Sequence, residues 1–355
     1  MATEDHKPGL MNSVQRVKGR REGKTTIFME IGVIYNTELV VYRLYEDLRW
    51  MFIELSKTVL NGPYMGCILP PLPKIPSPVF HPGSILREHY LQGFCLATQV
   101  FLELIVQHPK FSQESCVQRF FSQEKLPTVP ASSIGSSIKE EASKMFGSIQ
   151  FRSTQDPDKN FVEYQQSLSK YYDVIRGCFV LYSTKCKSNE RIIQSSIQFS
   201  KETSQFSNEL FFKDSPKEYN ILGFLEEYLD FSRANLESAF VEVDQNIYLF
   251  FEYYTSYTLA ALNMLQRRQK KLETIAQLSK KTKDFTKTAE LLDRAHDELD
   301  SITRMGESDL MLLQHQKTMA LYNLLSKAKH YHVTKTRENI TRLKDLISEM
   351  ENIEL

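Results

Sequence analysis

The residues of this chain with the most chemical potential are cations gathered in one stretch. Between positions 267 and 287 stand Arg267, Arg268, Lys270, Lys271, Lys280, Lys281, Lys283 and Lys287, against only Glu273 and Asp284. The whole chain is neutral, with 44 basic and 44 acidic residues, so this run is a local field and not a general bias. Clustered Lys and Arg attract anionic surfaces, at roughly 1 kcal/mol per residue beside an anionic bilayer. Such a run can also be a solvated helix end, and the residues alone leave both readings open. A second basic run, Arg16, Lys18, Arg20, Arg21 and Lys24, lies in an otherwise polar N-terminal stretch. Neutrality overall gives no sign of a nucleic-acid partner.

Other chemistry is thinly supplied. The eight histidines include His315, His330 and His332, but there is no HExxH and no carboxylate–histidine motif. His330 and His332 are two apart and point to different faces of a helix. Cys67, Cys95, Cys116, Cys178 and Cys186 are irregularly spaced, form no CxxC, and read as reduced, buried thiols. Gly62, Gly66 and Gly83 make no phosphate-cradling loop. The expectation is a protein with no catalytic activity, no metal and no cofactor. The opening MATEDHKPG is polar and no run of 18 apolar residues occurs, so membrane contact is expected to be peripheral.

Long helices must position the basic run. From Asp158 to Leu355 the only glycines are Gly177, Gly223 and Gly306, and the only proline is Pro216. Leu222, Leu225, Leu229, Leu236, Phe240, Val243, Ile247, Phe250, Tyr254, Ala261, Leu265, Leu272 and Ile275 form one stripe at helical steps. That predicts a helix of about 60 residues, roughly 90 Å long. Three such helices are expected, at about Lys159–Leu210, Pro216–Gln277 and Asp284–Met350, with Ser215 as N-cap and Pro216 at the first helical position of the second. The basic run then sits at the hairpin between the second and third. Helices this long bury little alone, so the surplus stripe implies a partner rod.

The first third has a different texture. Thr26–Tyr35 and Glu38–Arg43 read as strands, and Tyr45–Val59, Ile85–Val106 and Phe111–Phe121 as helices. Between the first two helices lies the extended, proline-studded run Ile68–Pro78. Pro127–Ser137 reads as a linker. Beyond it, Ile134, Ile138, Met145, Phe146 and Ile149 fall on one side of a short helix, suited either to insertion between headgroups or to packing on the protein.

Three motifs in this order resemble a known family. Tyr42-Arg43-Leu44-Tyr45-Glu46-Asp47-Leu48 is similar to the RRYxDF run of PX domains, Leu69-Pro70-Pro71-Leu72-Pro73 to their PPxxP loop, and Phe101-Leu102 with His108-Pro109 to the end of their long helix. Ahead of a three-helix rod, they make the chain resemble a PX-BAR sorting nexin. Val100–Pro109 and Met264–Arg268 look most like the retromer-associated five/six/thirty-two subgroup. The resemblance implies an α+β PX module over residues 1–126, a linker with an amphipathic helix over 127–157, and an all-α BAR domain over 158–355 that dimerises into an elongated rod. It further implies binding to anionic, phosphoinositide-containing membranes of early and recycling endosomes, with another PX-BAR sorting nexin and retromer as partners. In the family pocket an arginine precedes the tyrosine, and a second arginine lies in the next long helix. Here those positions are Leu44 and Phe94. Arg43, Tyr45 and Lys74 are what remains of a headgroup site, so little selectivity for phosphatidylinositol 3-phosphate is expected. The subgroup's helical insertion, linked to cargo tails, has no room between Pro78 and Leu86. The rival expectation is a helical scaffold that binds proteins and no membrane.

Overall fold

The computed structural model describes residues 13–22, 26–35, 37–80, 86–127, 156–211, 216–280 and 285–351. The stretch holding Ile134, Ile138, Met145, Phe146 and Ile149 lies outside them, as do Ser215, Lys281 and Lys283.

Three antiparallel strands form the first layer, in the order β1 (Ser13–Glu22), β2 (Thr26–Tyr35) and β3 (Thr37–Leu44). The last two coincide with the apolar runs of the sequence; β1 is the basic run, which reads there as merely polar. A bulge between Val14 and Arg16 explains why. It breaks the two-residue alternation, so that Val14 and Val17, three apart, both become buried. Gly19 lies where β1 crosses the next long helix; a Cβ there would sit 2.6 Å from the Cys95 Sγ.

Helix α1 (Tyr45–Leu60) begins where the Asp47 carboxylate accepts the Leu44 N–H at 2.8 Å, one half of a capping box. It buries Leu48, Met51, Leu55 and Val59 at three- and four-residue steps. Helix α2 (Arg87–Gln107), a 3-10 turn at Phe111–Gln113 and α3 (Ser115–Ser122) close the module. By length and apolarity α2 alone, among the described residues, would suit a bilayer. Its Leu91, Phe94, Phe101, Leu102 and Ile105 are instead buried in the module's core.

The rod consists of α4 (Lys159–Phe211), α5 (Pro216–Ala239), a π-helical turn at Phe240–Asp244, α6 (Gln245–Leu278) and α7 (Phe285–Glu351). On α4 the buried residues Phe161, Leu168 and Ile175 are seven apart; Cys186 and Ile193 resume the same spacing after a step of eleven. A heptad with one four-residue insertion is a coiled-coil stripe with a stutter. Helix α6 is central, packed against α4, α7 and α2, and buries Tyr253, Tyr254 and Tyr257 and everything from Ala260 to Leu265. The stripe has a remainder. Val180, Leu181, Phe199 and Phe206 on α4, and Met311, Tyr322, Leu325 and Met350 on α7, stand more than half exposed.

Candidate functional site

The three residues expected to form a headgroup pocket do not converge. Arg43 follows the alternation of β3 inward, in the row that pairs Gly19, Met29 and Arg43. It is 5% exposed and donates from Nε to the Phe120 carbonyl at 2.7 Å, from Nη2 to the Gln123 carbonyl at 2.6 Å and from Nη1 to the Tyr42 carbonyl at 2.7 Å. It caps the C-terminal end of α3, where carbonyls lack helical partners. Its expected headgroup role is therefore corrected: the guanidinium is buried, and three of its five N–H groups are spent on carbonyls inside the module. Tyr45 hydrogen-bonds the Pro73 carbonyl at 2.9 Å and meets the edge of Phe94 at 5.6 Å between ring centroids. Burial pushes its hydroxyl up to about 12. Lys74 is exposed and lies across a shallow cleft from Glu252 of α6, whose carboxyl burial raises and Lys74 pulls back. Phe94, fully buried, stands at the second arginine's position. Restoring both arginines is thus not a neutral repair. Leu44→Arg, at a site 36% exposed, is expected to fold normally. Phe94→Arg would bury a charge, cost about 3 kcal/mol or more of stability and so lower the unfolding temperature sharply. Comparing the two melts checks it.

The basic run also divides. Arg267 donates from Nε to the Met65 carbonyl and from Nη2 to the Cys67 carbonyl, each at 3.0 Å, and burial lowers it to about 10. Arg268 is 4% exposed. Its guanidinium lies 4.0 Å over the Phe161 ring, donates to Thr303 Oγ1 at 3.2 Å and pairs with Asp156 and Asp158. Lys271 pairs with Glu298 across α6 and α7. These three were expected at a membrane-facing tip; they instead hold the helices and the first module together, because they lie up to three turns inside the hairpin. Lys270 and Lys280 are exposed.

The two modules meet at a polar joint that no sequence motif announced. Asp309 of α7 is 7% exposed, and its carboxylate accepts the Ile68 N–H at 2.7 Å and His108 Nε2–H at 3.1 Å. His108 Nδ1 in turn accepts the N–H groups of Lys110 and Phe111, each at 3.2 Å, which places the ring proton on Nε2. Its ring stacks on Phe111 at 4.0 Å. Alongside, Gly66 abuts the α7 backbone: a Cβ would lie 2.5 Å from the Ile302 carbonyl oxygen. Gln245, just after the π-helical turn, donates to the His89 carbonyl at 2.6 Å. His108-Pro109 is legible as a helix end, but its partner is 201 residues away.

Cys67, His108 and Asp309 place their ligand atoms within 4.8 Å of one another, all buried, so the joint has the donors of a metal centre. In this structure they serve the joint instead: both ring nitrogens of His108 are committed, one as acceptor and one as donor, and burial, with the Asp309 carboxylate, pushes the Cys67 thiol up to about 12. Cys95 and Cys186 are likewise held at about 12 and Cys116 at about 11 by burial, while Cys178 is half-buried. Alkylation of the native protein at pH 8 is therefore expected to consume Cys178 first. A thiol raised by folding stabilises fully below its unfolded value of about 8.5. That contribution disappears as pH rises through about 11 to 12.

Residues 33–124 match the model of the PX domain. Sorting nexin-4 of Candida glabrata is 22% identical over 158 residues, 44% of this chain and 36% of that protein, so the match spans little more than a third of the relative's length. The cryo-EM structure of the SNX-BAR Mvp1 tetramer superposes with a TM-score of 0.57 at 15% identity, covering 94% of this chain and 99% of that one. A small three-stranded module keyed to a breaker-free rod is what that likeness spans. The chain therefore contains a PX domain and carries it on a long helical rod, in the fold of a PX-BAR sorting nexin.

Proposed function

We propose that this protein is a peripheral membrane-binding and membrane-shaping sorting nexin, acting in endosomal tubulation and in retrograde and recycling transport. Residues 1–126 serve as its PX domain, 127–157 as a linker and 158–355 as its BAR domain. It belongs with the retromer-associated subgroup, takes another PX-BAR sorting nexin as dimer partner, and works without catalysis or cofactor on early and recycling endosomes. The carrying observation is the apolar remainder on α4 and α7, joined to a PX domain in one SNX-BAR-like fold. Exposed Leu181, Phe206, Met311 and Tyr322 are a helix partner's footprint, since apolar side chains at heptad-like spacing bury against another helix. Tyr322→Glu with Leu325→Glu should convert a dimer to a folded monomer in sedimentation equilibrium; an unchanged dimer would place the interface elsewhere. Co-sedimentation of the full chain with anionic vesicles, followed by electron microscopy for tubules, tests the membrane role.

The second reading is a helical scaffold that binds proteins and no membrane. It draws on one observation: Arg43, Arg267 and Arg268 are all consumed inside the fold. Absence of vesicle binding at low salt, with the rod dimer intact, would favour it.

A further inference from the structure

A trough between the PX domain and the rod serves none of the roles above. Its walls come from three helices: Leu96 and Val100 of α2, Leu249 and Tyr253 of α6, and Ala320 and Leu324 of α7. Each pair is four residues apart, so each helix offers one face. The hollow has a volume of about 200 Å3. Leu96 and Val100 are 47% and 40% exposed beside it. Tyr253 is 8% exposed, and its hydroxyl has no hydrogen-bond partner among the described residues. One end is polar. Lys271 pairs with Glu298, and Tyr331 donates to Ser238 at 3.0 Å, so α7 runs antiparallel to the helix before it. Glu242 and Asn246 therefore lie level with Lys327 and Asn323, and all four line the trough.

Size, shape and charge decide what fits. The volume is below the roughly 300–1,000 Å3 of sites that enclose a small molecule. From Glu242 to Tyr254 the trough runs about 18 Å, a little over three helical turns. Three helix faces around an open channel admit a fourth helix, whose apolar side chains at i, i+4 and i+7 fill the hollow. Glu242 and Lys327, both exposed, are opposite in sign. That suits a helix carrying charges of both signs and gives no net attraction to an anion. A buried hydroxyl left unpaired loses the hydrogen bonds it has in water, and an aromatic side chain with a polar tip restores one. A second copy of the rod is the poorer fit. At about 100° per residue, Ala320, Leu324 and Lys327 fall on the side of α7 opposite the exposed Met311, Tyr322 and Leu325. We propose that this trough is the docking site for an amphipathic helix of another protein, anchored by apolar side chains, one of them an aromatic whose N–H or O–H meets the Tyr253 hydroxyl. The proposal is independent of the membrane role.

The probe is a displayed library of helical peptides, randomised along one face and selected on the full chain. Enriched peptides should carry apolar residues at i, i+4 and i+7, with tryptophan or tyrosine among them. Their affinities are then measured by fluorescence anisotropy. Leu96→Glu with Val100→Glu, at exposed positions, should weaken binding by about tenfold or more while leaving the unfolding midpoint and the oligomeric state unchanged. Tyr253→Phe removes only the hydroxyl; it should weaken the peptides with polar-tipped aromatics severalfold and leave their phenylalanine counterparts unaffected. Lys327→Glu should weaken a peptide with an acidic residue at that end, and exchanging this residue for lysine should rescue it. No enrichment of amphipathic helices over the starting library would overturn the proposal, as would equal affinity for wild type and the Leu96–Val100 variant. Dissociation of an oligomer by that variant would make the occupant a second copy and overturn it too. So would oleate, if it displaced the peptides and bound more tightly than they do, since the occupant would then be a lipid chain.

Discussion

Replacing Asp309 with alanine is expected to loosen the PX domain from the rod. The change strands the Ile68 N–H and His108 Nε2–H in a buried joint, where both now end on one carboxylate. An unsatisfied buried donor costs about 1–3 kcal/mol, so with two of them the variant should lose about 2–6 kcal/mol. The loss should be local before it is global: amide exchange at Ile68 and around Lys110 and Phe111 should accelerate while the α4–α6 contacts stay protected. Asp309→Asn keeps one acceptor oxygen and should fall between wild type and alanine. Exchange and calorimetric profiles of the alanine variant that match wild type would mean that the carboxylate is not what fastens the joint.

The second large effect separates two kinds of cation within one basic run. Arg268→Glu would set a carboxylate beside Asp156 and Asp158 in a site now held by a guanidinium over Phe161. Breaking a buried ion pair costs about 3–5 kcal/mol, and reversing it costs more, so poor folding is expected by circular dichroism. Arg267→Glu should behave similarly, because its donors hold the Met65 and Cys67 carbonyls. Lys270→Glu with Lys280→Glu, at exposed positions, should fold as wild type. That pair should nonetheless weaken binding to anionic vesicles, with an effect that shrinks as salt is raised, since exposed charges are screened beyond about 8 Å at physiological ionic strength. Reversing all four of Arg267, Arg268, Lys270 and Lys271 together would confound the two effects. Full vesicle binding by the lysine pair variant would show that these two side chains are only a solvated helix end.

Most of the architecture was legible because the informative signals were local. Helix breaks fell at the only proline of the rod and at a charged hairpin, and each rod helix ends within one residue of expectation. Strands β2 and β3 announced themselves through β-branched runs. β1 did not, because its bulge hides the alternation and its outward residues are cationic. The site was less legible, for a different reason. Residue type identified Arg43, Arg267 and Arg268 as cations, but whether a guanidinium meets a phosphate or a carbonyl depends on neighbours far along the chain. Phe120 is 77 residues from Arg43, and Met65 is 202 from Arg267. The Cys67–His108–Asp309 cluster shows the same limit: three unremarkable positions become a joint only once the PX domain lies against α7.

The π-helical turn at Phe240–Asp244 carries one more consequence. A π-turn holds one residue more than an α-turn, so it shifts the helix that follows by about 100° around the axis. Upstream, α5 packs against α4 and α7; downstream, α6 packs against both of these and α2 as well. The inserted residue thus acts as a phase adjuster. It lets one continuous helix present a stripe to the rod before Asp244, where Lys185 and Asn189 grip the carboxylate, and Gln245 to the PX domain immediately after. Removing one residue from this turn would change no charge and little apolar surface, yet it would rotate every downstream contact out of register. Insertions and deletions should accordingly be poorly tolerated at these five positions.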